Sequence, residues 1–245
     1  MFKIEINKYT YVFLLISFFS GYFEYMYLFL LIIFIHESGH YIFSKIVNFK
    51  YSKIIIYPFG GLTIYNEDLN ISTNKELFSL LGGILFQLLF FLLVFKLFYL
   101  GFVTYRVYSI IKRINFLLIS FNFMPIIPLD GGKLLNIILD KIFSYKTSNI
   151  ISLIISMIFI VIFLVFNKTY YSIILSIFLI KSIYIELNNI NIKYNKFILE
   201  RYLNNYNFKK IKIIDNINKL KRDNYHIINN EFERNYLQNL FDTGS

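Results

Sequence analysis

Cysteine is absent from the 245 residues, which excludes disulfide frameworks and thiolate metal sites. Any metal must then be held by histidine or carboxylate, and histidine occurs only three times. Tryptophan is missing and proline occurs three times, so the apolar mass rests largely on Ile, Leu, 29 Phe and 21 Tyr. Acidic residues are few: 15 Asp and Glu stand against 25 Lys and Arg, a formal net charge of +10. No nucleic-acid recognition motif accompanies that charge, so a nucleic-acid partner is not expected. No small-x-small cleavage site follows the charged start, and residues 10–20 read as a retained helix rather than a signal peptide. No internal repeat is evident.

What the chain has in quantity is apolar sequence. Hydrophobic residues make up 57%, more than a typical soluble domain carries. Apolar runs at 10–20, 25–47, 76–100, 105–124, 149–166 and 170–187 read as six spans, each near the roughly 20 residues needed to cross the hydrocarbon. Between the second and third, residues 51–57 and 62–65 are rich in β-branched and aromatic residues around Pro58-Phe-Gly-Gly61, the pattern of a hairpin. The expected fold class is an α-helical polytopic membrane protein with about six transmembrane helices, a short membrane-associated β-hairpin and a small cytosolic C-terminal tail. Two domains follow: a membrane domain at 1–187 and a soluble basic tail at 188–245. Lys45, Lys50, Lys53, Lys75, Lys133, Lys141 and Lys146 fall in loops of one side, and Arg106 and Lys168 on the other. The positive-inside rule then places both termini in the cytosol. The basic tail fits an anionic membrane surface.

The second run carries the chemistry. Residues 31–46 read LIIFIHESGHYIFSKI, with His36 and His40 one helical turn apart on one face. That spacing suits two imidazoles gripping one metal ion, and Glu37 sits where a carboxylate reaches a metal-activated water. This is the H-E-x-x-H arrangement of zinc peptidases. A core histidine is the bland alternative, but ionisable residues inside a membrane are costly and functional by default.

A second cluster, Asn122-Phe-Met-Pro-Ile-Ile-Pro-Leu-Asp-Gly-Gly132, holds two of the three prolines. Both remove backbone donors, so the helix should break there, at a depth where irregular backbone must be buried in protein or line a wet cavity. Asp130 reads as the third zinc ligand, since three protein ligands plus water make an open, catalytic site. The competing reading is that Asp130 only caps a helix at 131–143. Gly82, Gly83 and Gln87, in the third run, read as packing positions.

HESGH in a second span, PFGG in a following hairpin and NFMPIIPLDGGK after a fourth span resemble the site-2 protease family. These are membrane-embedded zinc metalloproteases, and the pattern is most similar to their sporulation branch, which processes a late mother-cell sigma-factor precursor. The resemblance implies Zn2+ on His36, His40 and Asp130, Glu37 as catalytic base and Asn122 near the bound substrate. Ser38 stands where relatives commonly have Leu, and Gly82-Gly83 where they often have Gly-Pro. The implied partners are a membrane-associated protein substrate such as a pro-sigma factor, membrane inhibitor proteins, the lipid bilayer and an oligomer. The implied location is a multi-pass cell membrane protein, around the forespore in a sporulating cell. Relatives carry a nucleotide-sensing domain where this chain has its shorter tail. Two other classes remain from the residues alone. One is a catalytically silent zinc-binding membrane protein; the other is a polytopic transporter whose substrate path the broken helix at Pro125 and Pro128 would line.

Overall fold

The computed structural model describes residues 4–49, 51–57, 60–65 and 69–242. Lys3, Lys50 and the Pro58-Phe59 turn of the expected hairpin lie outside them. By internal contacts the chain forms two units, Met1–Glu67 with Lys75–Phe121, and Asp68–Asn74 with Asn122–Ser245.

The first unit opens with strand β1 (Ile4–Ile6) and helix α1 (Lys8–Phe19), whose first turn Asn7 caps by accepting from the Tyr9 amide. Helix α2 (Phe23–Ile46) follows, then strands β2 (Tyr51–Tyr57) and β3 (Gly60–Tyr65), helix α3 (Thr73–Tyr99) and helix α4 (Tyr105–Asn122). The expected hairpin is present as the antiparallel pair β2–β3. It is also one strand wider than expected, because β1 pairs with β2 in parallel. The order is β1-β2-β3, so Ile55 is bonded on both sides, to Glu5 and to Leu62, and the sheet ends at β3.

Helices α2, α3 and α4 share a buried cluster of Leu28, Ile32, Ile33, Val94, Ile110, Ile111, Ile114 and Leu118. In lipid the gain from such a cluster is close packing, which small residues promote. A Cβ on Gly39 would come within 2.3 Å of the Gly82 carbonyl oxygen, and one on Gly82 within 2.5 Å of the Gly39 carbonyl oxygen. Both positions therefore let two backbones touch.

The second unit contains helices α5 (Asp130–Ile142), α6 (Tyr145–Phe166), α7 (Tyr170–Asn188) and α8 (Ile190–Leu203). Strands β4 (Lys210–Ile214), β5 (Asn224–Ile228) and β6 (Glu231–Phe232) and helix α9 (Glu233–Asp242) complete it. Helix α6 is built for lipid. Ser148, Ser152 and Ser156, at helical spacing, are fully buried, while Ile154, Ile158, Val161 and Val165 are exposed. The proline break keeps its backbone satisfied against this stripe: the Ile127 amide donates to Ser156 Oγ, whose hydroxyl reaches the Pro125 carbonyl.

Among the described residues, α2, α3 and α6 are long and apolar enough to cross a membrane, and α7 with α8 gives a fourth if the pair, bent by 49°, is one broken span. The chain is a polytopic helical membrane protein. The two remaining expected spans exist as helices with different properties. Helix α1 has 12 residues, about 18 Å against a hydrocarbon core of about 30 Å. Helix α4 carries Arg106, Lys112 and Arg113, and Arg106 pairs with Glu24 at 2.6 Å.

The tail is a folded body. Tyr194, Phe197 and Ile198 of α8 pack with Ile214, Ile228 and Leu237, and Tyr145 stacks on Phe197. Beneath the sheet lies a polar cluster. Arg201 donates to Glu233 at 2.8 Å and to Asn70 at 2.6 Å, and His226 Nδ1 is 3.0 Å from Glu233. Burial, ahead of the opposing Glu233 hydrogen bond, holds the His226 ring below its ordinary 6.5. Burial alone would raise Glu233, but the His226 hydrogen bond and Arg201 outweigh it and hold the carboxyl below 4.5. Both groups bind fewer protons folded than unfolded, so stability is full above pH 6.5 and is lost as pH falls below it. The β5 amides should exchange faster at about pH 5 than at about pH 7.5 after correction for intrinsic rate. Equal corrected rates would contradict this.

Candidate metal centre

Helix α2 places His36 and His40 on one face because they are four residues apart, and both are buried, each 3% exposed. The rings meet edge to face with centroids 4.7 Å apart. Their outer nitrogens are fixed by α3. His36 Nδ1 lies 2.9 Å from Gln87 Oε1, and Gln87 Nε2 donates in turn to the Asn115 carbonyl. That second bond sets the amide orientation, so Oε1 faces the ring and Nδ1 carries the proton. His40 Nδ1 lies 3.1 Å from the Ser79 carbonyl oxygen, which can only accept. In both rings the proton is therefore on Nδ1 and the lone pair on Nε2.

The two Nε2 atoms stand 3.1 Å apart. A hydrogen bond between them would need an extra ring proton, whereas one metal cation satisfies both lone pairs. Nitrogens each bound to a tetrahedral zinc at its usual distance stand about 3.3 Å apart. The pair fits the metal.

Glycines make the room. A Cβ on Gly83 would fall 2.4 Å from His40 Nε2 and 2.9 Å from His36 Cε1. A Cβ on Gly61 would fall 2.5 Å from Glu37 Oε1. The second glycine of PFGG thus gives the buried Glu37 side chain its place, and the tip of β3 lies against that carboxylate.

In the second unit Asp130 is buried, 7% exposed, with Lys133 Nζ 3.2 Å from its Oδ1. It is the first residue of α5, and Leu129 holds the extended cap conformation. The capping reading of Asp130 therefore fails: the side chain at the cap position is Leu129. Gly131 and Gly132 are helical rather than turn residues. A Cβ on either would strike the backbone at Phe123–Met124 or at Ile126–Ile127, so they let the broken segment fold over the start of α5. Asn122 ends α4 and is half-buried.

Gln87, the Ser79 carbonyl, Gly61 and Gly83 are the site features that spacing did not single out. Gln87 and Gly83 read as packing positions. The signal for Gln87 was present, since it is a lone amide in an apolar span and such groups are functional by default.

Residues 24–107 match peptidase family M50. Over that stretch, about a third of the chain, the sequence is similar to the family's. Stage IV sporulation protein FB of Bacillus subtilis is 23% identical over 151 residues, 62% of this chain and 52% of its own length. A zinc metalloprotease of Methanocaldococcus jannaschii is 30% identical over 125 residues, 49% of this chain and 35% of its own length. The chain thus spans about half the length of the first and about a third of the second. Among solved structures, the site-2 protease from Methanocaldococcus jannaschii superposes with a TM-score of 0.59 at 24% identity, over 75% of this chain and 89% of that one. That likeness shows a shared fold. The M50 match contains His36, Glu37, His40, Gly61, Gly83 and Gln87, while Asn122 and Asp130 lie beyond it.

Proposed function

We propose that the chain is an intramembrane zinc endopeptidase, with His36, His40 and Asp130 as metal ligands, Glu37 as general base and Asn122 as a holder of substrate backbone. The carrying observation is the pair of Nε2 atoms, whose protons are held on the opposite ring nitrogens. The donor types support it: two imidazoles and a carboxylate, each buried, are ligands suited to a metal ion. With no cysteine available, nitrogen and oxygen ligands suit zinc.

When bound, zinc lowers the pKa of its water and polarises the scissile carbonyl. Glu37 takes a proton from the attacking water and returns it to the leaving amide nitrogen, so one water and one peptide bond become a carboxylate and an amine. Gln87 and Ser79 keep the imidazoles in the metal-binding tautomer. A helical peptide shields its carbonyls in its own hydrogen bonds, so the substrate has to be extended before attack. Strand β3 ends its sheet, and its Gly61 adjoins Glu37. An extended peptide added along β3 would reach the base directly, with Asn122 as a further backbone partner.

The proposed substrate is a membrane-associated protein, and a pro-sigma factor in a sporulating cell is the specific candidate, supported by the similarity to a sporulation protein. On this reading both termini are cytosolic, residues 1–187 form the protease domain and 188–245 the tail. The protein sits in the membrane around the forespore, where membrane inhibitor proteins and further copies of the chain are its other partners. The test is co-expression with a candidate substrate, followed by cleavage in purified proteoliposomes. Cleavage should stop on zinc chelation and return with added zinc. Cleavage that persists through chelation would overturn the proposal.

A further inference from the structure

Helix α5 carries the proposed carboxylate ligand at its first residue, and its last turn is gripped by a loop of the tail. That loop, Lys221-Arg222-Asp223, leads into β5. Arg222 Nη1 donates to Asp140 Oδ2 at 3.0 Å, and Nη2 donates to the Ile71 carbonyl at 2.8 Å. The other oxygen of Asp140 accepts from Ser148 of α6. Lys221 Nζ donates to the carbonyl of Ile142, one of the last-turn acceptors that a helix leaves open. Asp223 accepts from the Thr73 amide at 3.1 Å, so the same loop satisfies the first residue of α3.

Stability alone is a poor account of the pair at its centre. The side chains of Arg222 and Asp140 are 5% and 0% exposed. Taking both charges out of water costs about as much as their attraction returns, and a well-packed apolar pair often serves as well or better. The best-attested use of buried charges is registry, because a charged pair accepts one geometry and rejects its neighbours.

What α5 has to keep in register is Asp130. The helix has 13 residues and is about 20 Å long. Its first turn lies under the broken segment, where a Cβ on Gly131 would come within 2.4 Å of the Phe123 carbonyl oxygen. A rod touched at one end can still swing and roll unless its other end is fixed. Residues of a working site have to be held within roughly 0.5 Å and 10–20° of their productive geometry. The bridge at Asp140 supplies the second support.

We propose that Arg222 is a positioning residue for the metal centre. Its bridge from Asp140 to Ile71 fixes the direction and roll of α5, and with them the Asp130 carboxylate. The tail then helps to set zinc affinity. This role rests on Asp130 being a zinc ligand.

The absence of cysteine makes the test direct. Nitroxides on Ile138→Cys and Ile150→Cys, at exposed positions of α5 and α6, report the placement of α5 in the full-length chain by their distance distribution. Competition with a chelating indicator reads zinc affinity on the same protein. Arg222→Gln with Asp140→Asn, which leaves no unpaired buried charge, should shift or broaden the distance and weaken zinc binding about tenfold, the lower end for lost ligand support. Arg222→Lys keeps the charge and cannot span both acceptors, so it should show the same changes at smaller size. Ile214→Val weakens the tail core, spares the bridge and should move neither reading. An unchanged distance in both Arg222 variants would overturn the proposal. So would a shifted distance with wild-type zinc affinity, and Asp130→Ala then tells which premise failed. Zinc lost from Asp130→Ala would remove the positioning role alone, whereas zinc retained there would remove the ligand itself.

Discussion

Glu37→Gln should abolish peptide cleavage and leave zinc content unchanged. Glu37 is buried, 5% exposed, and belongs to the same helix as the two imidazoles without being one of the proposed ligands. The glutamine has nearly the same shape, so the close contact with Gly61 that fixes the side chain survives the change. What disappears is the ability to take a proton from the attacking water. Removing a general base typically costs about 10²–10⁴-fold. Single-turnover cleavage of a candidate substrate, with zinc measured on the same preparation, separates the two outcomes. Activity within a few-fold of wild type would rule Glu37 out as base. Loss of zinc together with activity would make it a ligand or a structural support instead.

The second large effect is expected at Gln87, which touches only the far side of one imidazole. Gln87→Leu puts an apolar side chain of similar size in a fully buried place and deletes the acceptor for His36 Nδ1. The ring is then free to turn or to move its proton to Nε2, the nitrogen that faces His40. Losing such a partner typically costs about 10–100-fold in metal affinity. Gln87→Glu keeps an acceptor and should retain most of the affinity. Zinc competition against a chelating indicator measures both variants. Equal affinities for Gln87→Leu and wild type would mean that the amide fills space only.

The membrane class and the chemical core were legible because each rests on a local pattern. Apolar runs predicted α2, α3 and α6 to within a few residues at most of their ends, and a four-residue spacing put His36 and His40 on one face whatever the tertiary arrangement. Features that depend on other segments were not legible. Strand β1 is three residues long and takes its place only by pairing with β2, so no run of its own announces it. The glycines at 61 and 83 are meaningful because a side chain from another element occupies the space a Cβ would need. The tail looked merely basic and polar. Its order comes from single buried groups, Arg201, His226 and Glu233, whose partners are scattered over residues 70–233. A proline at Ile55 breaks an interior strand, since β1 and β3 flank it, and so tests only stability.

The most direct measurement is the metal content of the purified full-length protein, set beside His36→Ala and Asp130→Ala. One zinc per chain is expected in the wild type and a loss of stoichiometric zinc in both variants, with circular dichroism of the helices unchanged. Zinc retained by Asp130→Ala would remove the carboxylate from the site, and a wild type without stoichiometric zinc would contradict the metal centre itself.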